Sequence, residues 1–328
     1  MKLHEDKLLF ADIIERAAEH PSNGGLGINR HFIEKDYWIT NALRNLAECP
    51  YSEKTVFKGG TSLSKAYSLG FRFSEDIDIA IIRDDDISDS KMKTIIRSTE
   101  KQMAKDLVEL NHPESSKGSR YRKSFYSYPT INISPKIATS VVPGQLLIEI
   151  NSFANPFPFQ QVRIRSFVYE YLLMNLQKDI IEEFRINPFV LNVLDKRTTM
   201  TEKIVSLIRY SLSEDPIPEL EGKIRHFYDL YYLMQDKECV EFLFSDQFKN
   251  NFNALISHDK EMFDKPEGWR HKSLAVSPLI TDFSEIWDVL KSRYETELPS
   301  LIFSPTFVSS YKIKYNMEEI LKRVKNIC

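Results

Sequence analysis

The sequence predicts an α+β protein: a small mixed sheet with helices over residues 1–165, then a mainly α-helical C-terminal domain over 166–328. Three observations predict it. Short β-prone runs, TVFK and DIDIAI, sit among amphipathic helix-length segments in the first half. A proline-marked break, ANPFPFQQ, interrupts the chain after residue 153. From about Tyr169 onward the apolar residues recur at helical spacing.

In chain order, residues 3–19 place Leu8, Leu9, Ile13, Ile14 and Ala17 on one helical face. A loop with three glycines follows at 21–27, and then a helix over about 29–46. Its Glu34-Lys35-Asp36 run reads as a charged, solvated turn on a packing helix. Thr55, Val56 and Phe57 form a buried strand. Gly59-Gly60 breaks it, Thr61 caps a two-turn helix, and Gly70 closes that helix. In the next strand Asp76 and Asp78 project from one face, and Ile77, Ile79 and Ile81 from the other.

Two adjacent carboxylates on one face repel unless a cation sits between them. A hard divalent ion with oxygen ligands suits them, magnesium first and manganese as the alternative. The Gly59-Gly60 turn and the Thr61 and Ser62 hydroxyls place free N–H groups of a helix start close by, a cradle for phosphate. Lys58 and Lys65 flank that turn as further nucleotide-binding candidates. Either half alone reads as a glycine turn before an edge strand with solvent-facing acids. Together they specify a nucleoside triphosphate site.

Asp84-Asp85-Asp86 cannot share one strand face, so it reads as a solvated turn capping a helix at about 90–110. Residues 111–128 interleave Lys117, Arg120, Arg122 and Lys123 with Tyr121, Phe125, Tyr126 and Tyr128. Two readings stay open there, a nucleic-acid contact and an exposed β-hairpin. The strand Leu146–Ile150 carries one acid, Glu149, either buried with a partner or on the solvent side of an edge strand. A β-like piece at 162–168 and a helix follow. Thr198 to Lys203 reads as a capped helix start with Lys203 on the first turn. The helix at 220–234 puts Arg225 and Asp229 four residues apart on one face. The last ninety residues show core-type patterns, ending in a helix with Ile313, Met317, Ile320, Leu321 and Val324.

Gly-Gly-Thr-Ser, a short helix and Asp-x-Asp on a strand resemble the signature of the polymerase β-like nucleotidyltransferase superfamily. The longer wording, KGGTSLSKAY and RFSEDIDIAI, resembles the AbiEii/AbiGii toxin family of abortive-infection and type IV toxin–antitoxin systems. FIEKDYW at 32–38, EKI at 202–204 and RHFYDL at 225–230 are similar to that family too. The resemblance implies a magnesium-dependent enzyme that moves an NMP from an NTP to an acceptor hydroxyl, with the 3′ end of tRNA as one such acceptor. It implies that Glu149 completes the metal set with Asp76 and Asp78. It implies that Lys203 faces the triphosphate, with Asp229 orienting Lys203 or Arg225, and that an antitoxin partner exists. It matches Ser74 to a serine that related toxins can have phosphorylated for silencing, and it assigns the 29–46 helix to bracing the site, with Lys35 as a phosphate contact.

A net charge of −3 excludes a globally basic nucleic-acid binder, so an RNA surface has to be a local patch. Three scattered cysteines, with no CxxC pair, fit a reducing cytoplasm. The first twenty residues lack the apolar core of a signal peptide, and no run approaches the ~18 apolar residues of a membrane span. There is no G-x-G-x-x-G loop or H-R-D motif of a protein kinase. Two rivals remain: a nucleotidyltransferase acting on a small molecule or protein side chain, and a catalytically silent scaffold that binds a partner.

Overall fold

The computed structural model describes residues 1–74, 76–83, 87–131, 144–304 and 306–327. Contacts divide it into two compact units, Met1–Ser68 with Phe73–Leu194, and Leu69–Arg72 with Asp195–Cys328. The first unit opens with α1 (Lys7–Ala18) and α2 (Arg30–Ala47), capped by Asp6 and Asn29, whose carboxylate and amide oxygens accept from Leu9 and His31 N–H. Next come β1 (Thr55–Lys58), α3 (Gly59–Tyr67) and β2 (Asp76–Ile81), in the predicted order. The helix expected at 90–110 is α4 (Asp89–Met103), shorter because Val108–Leu110 forms strand β3. The turn expected at Asp84-Asp85-Asp86 lies outside the described residues. The unit continues with β4 (Ser116–Lys117), β5 (Tyr121–Ser127), β6 (Gln145–Asn151), β7 (Phe159–Ile164), α5 (Phe167–Met174), α6 (Lys178–Glu183) and β8 (Phe189–Leu194).

The strands form one mixed sheet in the order β3-β5-β6-β2-β1-β8-β7, with β4 beside β5. β2 runs parallel to β6 and β1 parallel to β8, and the other pairings are antiparallel. One face is apolar: Ile77, Ile79, Ile148 and Ile150 are fully buried, worth roughly 1.5–3 kcal/mol each. Helix α4 covers it, since its buried Glu100 accepts hydrogen bonds from Arg122 and Ser124, which point to that side of β5. The opposite face carries Asp76 and Asp78.

The unit boundary falls after Leu194 rather than after residue 165. The reason is β8, which pairs with both β1 and β7 and so holds residues 166–194 to the sheet. A six-residue apolar run cannot be told from buried helix by periodicity. Beyond it the second unit is helical, as predicted: α7 (Lys196–Ser211), α8 (Pro216–Glu221), α9 (Ile224–Leu233), α10 (Lys237–Leu243), α11 (Asp246–Met262), α12 (Pro278–Thr281), α13 (Phe283–Glu297) and α14 (Ser310–Lys325). Its core packs Phe227 on Trp287 and Trp287 on Tyr294, and Ile313, Met317, Ile320, Leu321 and Val324 of α14 are buried as expected. Helix α7 begins two residues before the predicted start, under the Asp195 carboxylate, so Lys203 lies mid-helix and not on the first turn. The helix expected at 220–234 is two, α8 and α9, parted at Gly222-Lys223.

Candidate active site

The open sheet face is built by register. Asp78 of β2 lies opposite Lys58 of β1 on one side and opposite Glu149 of β6 on the other, and Glu149 lies opposite Lys123 of β5. Directly paired residues share a face. The result is one row of alternating charge, Lys58, Asp78, Glu149, Lys123, with Asp76 two residues along β2. Strand β6 is interior to the sheet, so the edge-strand reading of Glu149 falls. The Lys123 ammonium lies 3.8 Å from Glu149 and 2.8 Å from Glu114. Burial alone would lower the Lys123 pKa, but the bond to Glu114 and the charge of Glu149 raise it on balance. Burial, and then the Glu149 carboxylate that its hydroxyl hydrogen-bonds, push the Tyr121 phenol above its ordinary range.

Helix α3 opens beside this row. Gly59 has φ of +80°, a conformation that favours glycine, and a Cβ there would displace the Asp78 carboxylate. The helix starts at Gly59 itself with no side-chain cap, which leaves the first-turn N–H groups of Gly59, Gly60 and Thr61 without intrahelical partners. Thr61 is therefore not the cap expected from its residue type. Its hydroxyl donates to the Asp76 carbonyl and ties α3 to β2, while the Ser62 hydroxyl donates to the Gly59 carbonyl at 2.8 Å. The chain closes α3 at Ser68, which takes a left-handed conformation.

The Glu34-Lys35-Asp36 run is buried, not solvated. Asp36 accepts from the Lys65 ammonium at 2.6 Å and from Phe167 N–H at 2.8 Å, and Lys65 also donates to the Arg165 carbonyl. Burial raises the Asp36 pKa against the pull of Lys65. Thus α2 braces α3, the helix at whose start the phosphate cradle is expected, and the Lys65 ammonium is engaged in that brace. Lys35 lies buried with its ammonium 5.9 Å from the Phe73 ring centre. Ser74 is nearly buried, two residues ahead of Asp76.

In the second unit, Asp229 of α9 does not pair with Arg225, whose guanidinium lies 3.7 Å from Glu297. Asp229 instead accepts two hydrogen bonds from Arg72 and one from Lys203 of α7, all at 2.7 Å. All three side chains are buried. Burial on its own would raise the Asp229 pKa, but the Arg72 and Lys203 charges outweigh it and hold the carboxyl well below the usual range. His226 beside them is half-buried and pushed far below its ordinary pKa, first by desolvation and then by Lys203. It is neutral at physiological pH. The sequence missed Arg72, since its contact with Asp229 spans 157 residues and no spacing announces it. It named Tyr121 and Lys123 only as part of a basic, aromatic stretch.

Among the described residues, no three His, Cys, Asp or Glu side chains converge closely enough to hold a metal ion by themselves. Asp76, Asp78 and Glu149 still offer carboxylate oxygen on one face, which suits a hard divalent ion whose other ligands are phosphate and water. Two grooves of about 480 and about 430 Å³, lined in part by Asn29 and His31 and by Arg163 and Tyr169, do not include these carboxylates. The carboxylates form a polar row on the open face of the sheet. Among the described residues no helix is long and apolar enough to cross a membrane.

The family model of the nucleotidyl transferase AbiEii toxins, of type IV toxin–antitoxin systems, matches residues 41–312, and the chain belongs to that family. It is a nucleotidyltransferase toxin by that membership, with an antitoxin partner implied. Its fold is similar to that of MenT4, a nucleotidyltransferase toxin from Mycobacterium tuberculosis H37Rv, at 15% identity and a TM-score of 0.55. That match covers 96% of this chain and 89% of MenT4. JHP933 from Helicobacter pylori matches at 14% identity, 91% and 94% coverage and a TM-score of 0.45. No curated protein matches the sequence.

Proposed function

We propose that this chain is a magnesium-dependent toxin that transfers a nucleotidyl group from a nucleoside triphosphate to the 3′ end of tRNA and so blocks translation. One observation carries the reading: Asp78 and Glu149 are direct cross-strand neighbours, with Asp76 on the same face, against the N-terminus of α3. Asp76, Asp78 and Glu149 would hold a divalent ion, which when bound would supply charge neutralisation to the phosphates. The chain's own groups supply position. First-turn N–H groups of α3 receive phosphate oxygens, with Lys58 at the same end of β1. The acceptor oxygen bonds to the α-phosphorus, the bridging bond to the β-phosphate breaks, and pyrophosphate leaves. The acceptor's proton passes to a carboxylate; the family resemblance assigns that role to Glu149, and its hydrogen bond from the Tyr121 hydroxyl supports a fixed position for it. The family resemblance assigns Lys203 to neutralising the triphosphate and Asp229 to orienting that lysine. The 2.7 Å contact between the two supports the second role. The chemistry needs NTP and tRNA, which puts its working place in the cytoplasm.

One observation favours a second reading, a small-molecule or protein acceptor. Lys117, Arg120, Arg122 and Lys123 each have an acid within 3.3 Å, so this stretch carries little net positive charge to attract RNA. The test is incubation of the protein with total tRNA, magnesium and each α-labelled NTP, beside Asp76→Asn. Label entering tRNA with the wild type and falling by a hundredfold or more in the mutant supports the first reading. Label in protein, or pyrophosphate release with a small acceptor, supports the second. No transfer from folded protein to any acceptor sinks both.

A further inference from the structure

Lys123 is held by two acids of different kinds. Glu149 belongs to the carboxylate row, while Glu114 lies outside any strand or helix and its side chain is 65% exposed. Lys123 itself is only 22% exposed, with its ammonium 5.6 Å from the Phe125 ring centre. A bond to so exposed a partner contributes little and is easily exchanged. A lysine is a point charge on a flexible four-carbon stem, able to swing between anions a few ångströms apart. The register fixes its root one strand from Glu149 and two from Asp78. Strands stand about 4.8 Å apart, so a phosphate group seated over Glu149 comes within the length of the Lys123 side chain, and it carries more negative charge than Glu114.

We propose that Lys123 is a phosphate-binding residue of this site, parked on Glu114 when no nucleotide is bound and passed to the triphosphate when one arrives. In the resting chain its ammonium supplies positive charge beside the carboxylate row. When a divalent ion takes over that task, the ammonium is repelled from the row and attracted to the phosphates. Glu114 then acts as a resting partner that competes with substrate. The proposal rests on the nucleotidyltransferase reading of the carboxylate row.

The test is calorimetric titration of the full chain with ATP, GTP, CTP and UTP in magnesium, and repeated without metal, for wild type, Lys123→Met, Lys123→Arg and Glu114→Gln. Loss of a charge-assisted bond to phosphate weakens binding by about tenfold or more in Lys123→Met, and Lys123→Arg restores most of it. Glu114→Gln removes the competitor and tightens binding by about two- to fivefold. The opposite signs separate this role from a structural strut, for which both substitutions act alike. Equal affinity in wild type and Lys123→Met overturns the proposal alone. Weaker binding in Glu114→Gln also overturns it, and that exposed substitution decides the matter even where Lys123→Met does not fold. A wild type that binds none of the four nucleotides overturns both the proposal and the reading beneath it.

Discussion

Single residues here carry opposite electrostatic burdens. Glu34 is buried on α2, where its carboxylate accepts Ile131 N–H at 2.8 Å, with the charges of Arg30 and Glu15 acting on it in opposite senses. Burial is the largest influence and pushes its pKa up from 4.5 to about 7. Folded Glu34 therefore holds its proton up to about pH 7, whereas the unfolded chain releases it near 4.5. Stability is withdrawn as pH rises through that window, by roughly 3 kcal/mol in all. Glutamine keeps an acceptor for Ile131 and removes the titration. Urea denaturation of Glu34→Gln and wild type at pH 5 and pH 8 should show near-equal stability at the lower pH and a more stable mutant at the higher. A gap that stays constant across the range would refute the assignment. None of this was legible in the sequence, where a Glu-Lys-Asp triplet on a helix reads as solvent-facing. Burial of such a run depends on what packs over it, and Lys65 and Phe167 approach from 29 and 131 residues away.

Between elements, the decisive contacts are those that sequence spacing cannot express. Asp76 and Asp78 were legible because strand alternation is local, and so was the glycine-opened helix before them. The pairing of Glu149 with Asp78 was not, since register is set across strands. Helical spacing named Arg225 as the partner of Asp229, but the carboxylate turns to Arg72 on the short 69–72 segment and to Lys203 on α7. That contact joins three stretches of the second unit through one buried carboxylate. Removing the shared partner of buried charges leaves them uncompensated, which costs about 3–5 kcal/mol. Asp229→Asn should accordingly lose that much in guanidinium unfolding at pH 7, while Arg225→Met, whose partner Glu297 lies 3.7 Å away, loses under about 1 kcal/mol. The Asp229 pKa is depressed in the fold, so its contribution is complete above the ordinary carboxylate range and fades as pH falls. The deficit of Asp229→Asn should shrink on acidification below about pH 4. Similar losses for both variants would remove Asp229 from its central place.

At the scale of the whole chain, the first unit is discontinuous in sequence, and its sheet is closed late. Residues 69–72 leave it between α3 and β2 to join the second unit, and β8 returns to it after two helices. Composition and the ANPFPFQQ break made a division at 165/166 reasonable. The physical division is later because β8 supplies hydrogen-bond partners to both β1 and β7. A chain cut after residue 165 would leave β7 with no strand beside it and turn β1 into an open edge lined by Val56 and Phe57. Exposed apolar edges of that kind drive aggregation. A chain cut after Leu194 keeps the whole sheet and removes the partners of Arg72 within the second unit. Expressed side by side, the 1–165 fragment should be insoluble. The 1–194 fragment should be recovered in solution with the far-ultraviolet signature of a mixed α/β domain, less stable than the full chain. If 1–165 proved soluble and cooperatively folded, β8 could not be the strand that closes the sheet.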